Sequence, residues 1–128
     1  MSYVRYLNNP SGKIVNDSMV RAISLVTGEN WQKTYIGLAM QGFFLHEMPN
    51  SRNVWSSFLS QQGFKCHLIS KEYQEDYTLE DFVLNHPKGI YIVTCDDYLV
   101  PVINGSYYDS QESGNRVPQS YWQKEVKE

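Results

Sequence analysis

Up to about Gln61 the apolar positions recur every three or four residues, and from Phe64 onward most of them follow a period of two. Met19, Ala22, Ile23 and Val26 make one stripe, so a helix is expected from Asp17 or Ser18 to Thr27, with Gly28 as its stop. Asn30 suits the N-cap of a second helix, with Trp31, Tyr35, Leu38 and Ala39 on one face and an end near Gly42. Asn50 or Ser51 caps a third, striped by Val54, Trp55, Phe58 and Leu59 and ended by Gly63. Phe64 to Ile69 alternates, which predicts a strand with Phe64, Cys66 and Leu68 on its half-buried face. Lys71 to Asp76 reads as a polar loop. Thr78, with Glu80 and Asp81 in the first turn, opens a short fourth helix built on Leu79, Phe82 and Val83.

The last third changes character. Ile90 to Cys95 is rich in β-branched residues, and Tyr98 to Ile103 makes a second strand. Asn104-Gly105 is a hairpin signal that turns the chain into Ser106 to Asp109. Pro101 must sit where the ladder needs no N–H. Tyr121-Trp122 adds an edge strand or packs over the sheet, and Tyr3 to Asn9 is a short strand or an extended arm. Helices segregated from strands in this way predict an α+β fold, a single domain over residues 1–128 with N-terminal helices packed on a C-terminal antiparallel sheet.

Composition narrows the function. With 128 residues, 41% of them apolar, the chain can bury a core of its own. A net charge of −3 and no two adjacent Lys or Arg residues argue against nonspecific binding to nucleic acid, which wants a basic patch. No apolar run approaches 18 residues and Met1 to Leu7 does not read as a leader, so no membrane span is expected and a cytoplasmic location is. Cys66 and Cys95 both fall in strands and are expected to be buried free thiols. His46, His67 and His86 are scattered, and no C-x-x-C or H-x-x-x-H spacing exists, so neither a metal nor a cofactor is expected.

The candidate chemistry lies in Asn16-Asp17-Ser18 and the helix that follows. A small hydroxyl residue at a helix start sits in the positive field of the N-terminus, among backbone N–H groups free to meet an anion. Asp109 closes a hairpin strand directly after Tyr107-Tyr108.

These pieces together resemble a known family. The chain holds Asn9-Pro10-Ser11-Gly12-Lys13, then Asp17-Ser18, then Val20-Arg21-Ala22-Ile23. It continues with Met48-Pro49-Asn50-Ser51, Val54-Trp55, His86-Pro87-Lys88-Gly89 and Tyr107-Tyr108-Asp109. From about Asn9 to Trp122 this layout is similar to the small papain-like cysteine peptidases, related to bacteriocin-processing double-glycine peptidases, of Gram-positive bacteria and their phages. The resemblance implies a papain-like fold in which a cysteine at a helix N-terminus attacks a carbonyl. It also implies a strand histidine that takes the proton, and an Asp or Asn that orients the imidazole. By position the cysteine corresponds to Ser18, the histidine to Tyr98 and the acid to Asp109. A hydroxyl is harder to deprotonate than a thiol, and a phenol is a poor base at neutral pH. The implied protein is therefore a pseudo-peptidase that binds through Asn16, Asp17, Ser18, Tyr98 and Asp109. Its implied partner is a host protein or a small signalling ligand, as for a phage-encoded inhibitor of a bacterial defence system. The alternative is an active hydrolase using Ser18, or a cysteine restored at that position, as nucleophile.

Overall fold

The computed structural model describes residues 3–70 and 76–124. Ten elements follow one another: β1 (Tyr3–Arg5), α1 (Ser18–Thr27), α2 (Trp31–Leu45), α3 (Arg52–Gln61), β2 (Phe64–Leu68), α4 (Leu79–Asn85), β3 (Ile90–Cys95), β4 (Tyr98–Ile103), β5 (Ser106–Asp109) and β6 (Ser120–Lys124). The α+β class expected from the sequence is present. Most of the polar loop expected over Lys71 to Asp76 lies outside the described residues.

The strands form one six-stranded sheet in the order β1-β5-β4-β3-β6-β2. It is mixed rather than antiparallel, because β1 runs parallel to β5 with Tyr3 opposite Tyr107 and Arg5 opposite Asp109. Hairpin signals report only neighbours in sequence, so the return of the first residues to β5 could not be read from them. The segment around Tyr121-Trp122 is likewise no edge strand. β6 lies between β3 and β2, with Ile92 opposite Trp122 and Cys66 opposite Trp122 on its other side. Burial of Trp122 between two ladders explains an aromatic that an edge position would have exposed.

Alternation along β3 and β4 sends side chains to two cores. Ile92, Leu99 and Trp122 face α1, α2 and α3, where they meet Ile23, Leu38, Val54 and Trp55. Tyr91, Val93, Val100, Val102 and Tyr107 face the other way and meet Leu79, Phe82 and Val83 of α4. The hairpin turn is made by Asn104 and Gly105, both at positive φ (47° and 82°), the pair of left-handed residues a type I′ turn needs. The β4–β5 ladder covers Val102↔Tyr107 and Ile103↔Ser106, and stops short of Pro101, which has no N–H to give it.

Two expectations about burial and one about a helix end need correction. The fully buried residues of α2 are Thr34, Leu38 and Gly42, and Trp31 packs half-buried against the core, whereas Tyr35, at the border of the same stripe, is exposed on the cleft side. That helix also runs past Gly42 to Leu45. Gly42 ends nothing; its carbonyl accepts the Glu47 N–H at 2.9 Å as the chain folds back across it, with His46 left-handed at the cap. Finally, β2 is a sheet edge, so that only Phe64 is buried, Cys66 is exposed and Leu68 is 85% exposed.

Candidate functional site

Asp17 precedes α1 in the N-cap position, yet its side chain caps nothing. Its carboxylate is held instead by Arg21 one turn along, with Nη1 donating to Oδ1 at 2.6 Å, and by Trp31 of α2, whose Nε1 donates to Oδ2 at 2.8 Å. Arg21 is buried. Its other terminal nitrogen, Nη2, donates to Asp109 Oδ1 and to the Tyr98 hydroxyl, both at 3.0 Å.

Tyr98 begins β4 and Asp109 ends β5, beyond the last pair of the β4–β5 ladder. The Tyr98 hydroxyl donates to Asp109 Oδ1 at 2.5 Å, and the Arg116 guanidinium lies over the Tyr98 ring at 4.1 Å. Asp109 also accepts from the Ser113 hydroxyl (2.6 Å) and from the Ser110 N–H (2.7 Å). Two buried carboxylates thus share one buried guanidinium, and the remaining lone pairs are met by neutral donors. That is the condition under which buried charges are tolerated. Burial, and next the bond to Asp109, push the Tyr98 phenol above its ordinary pKa, so it stays a proton donor.

Ser18 opens α1 and is 1% exposed. Its Oγ accepts the backbone N–H of Leu99 at 3.2 Å, which ties the helix start to β4 next to Tyr98. The sequence expectation grouped Ser18, Tyr98 and Asp109. The structure joins Tyr98 directly to Asp109 and brings Ser18 to the backbone of the residue after Tyr98. Among the described residues the histidines lie elsewhere: His46 caps α2, His67 stacks on Tyr121 and His86 stacks on Phe82.

Asn16 and Asp17 line a cleft of about 290 Å³ beside this network, walled by Val15, Trp31, Tyr35 and Met48. Trp31 and Tyr35 stack at 5.3 Å on its α2 side. Ser18, Tyr98 and Asp109 do not line it.

The sequence reading missed three members of the network: Arg21, Trp31 and Ser113. Arg21 had a signal, since a lone cation inside an apolar helix four residues after an Asp predicts a buried pair. Trp31 had none, because it reaches Asp17 across the contact between α2 and the start of α1, and Ser113, four residues after Asp109, lies in a loop whose course no periodicity gives. Cys95 is buried, and burial raises its thiol pKa from 9.0 to about 12, so it is no nucleophile at neutral pH. Compared with family models, curated proteins and solved structures, the chain matches none.

Proposed function

We propose that this chain is a non-catalytic binding domain of papain-like build, whose cleft beside α1 takes a peptide segment or a small ligand. One observation carries the reading. Ser18 is shut away from solvent with its Oγ already accepting a backbone hydrogen bond, and the side chain at the base position is a phenol held as a donor. A nucleophile must reach its substrate and hand its proton to a base, and neither condition is met. The order of parts supports the papain-like reading: a small residue at a helix start, a strand residue beside it, and an acid on the neighbouring strand. The role of antagonist of a bacterial host protein, or of sequestering agent for its signalling ligand, comes from the resemblance alone.

The cleft supplies apolar walls with amide groups at its rim, Asn16 and Asn50, which suits one apolar side chain of an extended peptide. The test is a titration of the labelled chain with a pool of short blocked peptides carrying Leu, Met or Phe, followed by NMR. Shifts at Val15, Trp31 and Met48, with every peptide recovered intact by mass spectrometry, are expected. Cleaved peptides, or an adduct on Ser18 after treatment with a fluorophosphonate, would make the chain a hydrolase. Shifts confined to other surfaces would remove the cleft from the proposal.

A further inference from the structure

A second cavity lies on the face of the sheet that α4 covers, away from α1. It holds about 300 Å³ between the end of β2, β6 and α4. Tyr77, Phe82, His86 and Tyr121 line it, together with Ile69 and Asn85. Phe82 and His86 stack at 3.9 Å, and Tyr121 leans on both at 5.1 and 5.5 Å. Tyr91 meets all three edge-on. Rings in contact with one another make a wall for one flat partner rather than a cage around a round one.

Two side chains of the lining keep an open polar atom, and both atoms are acceptors. His86 Nδ1 lies 2.8 Å from the Phe82 carbonyl oxygen, which only accepts, so the proton sits on Nδ1 and the neutral ring keeps a lone pair on Nε2. Asn85 donates through Nδ2 to the Tyr77 hydroxyl at 3.1 Å, which leaves Oδ1 open. Among the described residues nothing bonds either atom, and no Asp, Glu, Lys or Arg lines the pocket.

We propose that this pocket binds a neutral, flat heteroaromatic ring bearing an amino group, a ligand of the nucleobase class, stacked on the wall with its N–H donors on His86 Nε2 and Asn85 Oδ1. Stacking accepts any flat ring, because every such ring has a π face. The acceptors make the selection. Two lone pairs call for two N–H bonds, the number one amino group carries, and a ring without them leaves both acceptors unpaired. An anion would meet lone pairs and no cation, and an ammonium would lose water with no carboxylate to offset the loss. The pocket lies across the sheet from Ser18 and Trp31, so it stands apart from the peptide-binding reading.

Adenosine and its dimethylamino analogue, which lacks the amino N–H bonds, are the probes for NMR titration of the isotope-labelled full chain. Adenosine should bind with a dissociation constant below about 1 mM and shift Ile69, Asn85, Tyr121 and the His86 ring nitrogens. The analogue should bind about 10-fold more weakly. Asn85→Ala changes an exposed residue and should weaken adenosine by about 5-fold. His86→Phe keeps a ring on Phe82 and removes the acceptor, so it should erase most of the preference for adenosine over the analogue. If that variant does not fold, Asn85→Ala decides alone. Three results overturn the proposal: no shift at about 5 mM adenosine, shifts confined to other surfaces, or equal binding of the two probes. Adenosine binding that ignores Asn85→Ala overturns it as well.

Discussion

Arg21 is the residue on which the network turns. It neutralises two buried carboxylates from two directions, so its loss leaves Asp17 and Asp109 uncompensated. Replacing Arg21 with Met should cost about 3–5 kcal/mol, as removal of one partner from a buried ion pair does, read as a lowered urea midpoint. Ser18→Cys offers a contrasting test. A thiol at that position is as enclosed as the hydroxyl, so iodoacetamide should alkylate exposed Cys66 and leave both the introduced thiol and Cys95 unmodified until the chain unfolds. Cys95 also makes the fold sensitive to alkali. Its folded pKa of about 12 lies above the ordinary 9.0, so between those values the unfolded chain releases a proton that the folded chain keeps. Stability is therefore full below about pH 9 and falls as pH rises toward 12. The upward shift of Tyr98 acts in the same direction, starting near pH 10. Urea midpoints at about pH 8, 10 and 11 should decline, and Cys95→Ala should flatten part of that decline.

Elements were legible where their signal is local. Gly28 stops α1 in the left-handed conformation, Ser51 caps α3 through its side chain, and Thr78 with Asp81 closes a capping box at the start of α4. Thr78→Ala should cost about 1 kcal/mol in thermal or urea unfolding. Gly42 was misread because a glycine near a helix end has two explanations that sequence does not separate. Here it is a point of close approach: a Cβ would stand 2.6 Å from the Glu47 carbonyl oxygen. Gly42→Ala should therefore destabilise by about 1–3 kcal/mol, the range of overpacking, although alanine is the better helix former. Tyr35 shares a face with Leu38 by spacing yet is exposed where Leu38 is buried, because α2 is apolar on both sides and periodicity does not say how far round it burial extends.

At the scale of the whole molecule, the strands could be found but their order could not. Ladder partners such as Cys66 and Trp122, or Arg5 and Asp109, are far apart in sequence and carry no local trace of each other. The candidate site suffered in the same way. Asp17 and Asp109 could be named as carboxylates in promising places, but the arginine joining them belongs to a third reading, that of an amphipathic helix. Hydrogen exchange should follow the sheet order, slowest in β3 and β4 and faster in the edge strand β2.

Trp31 stands in two places at once, as a wall of the cleft and as a donor to the buried carboxylate of Asp17. The other two tryptophans, Trp55 and Trp122, are buried in the core between the helices and the sheet. The molecule's emission thus separates into a core signal and a cleft signal, with only the latter open to a soluble quencher. Iodide should extinguish the Trp31 fraction alone, and anything that fills the cleft should shield it, giving an optical readout of occupancy without a label.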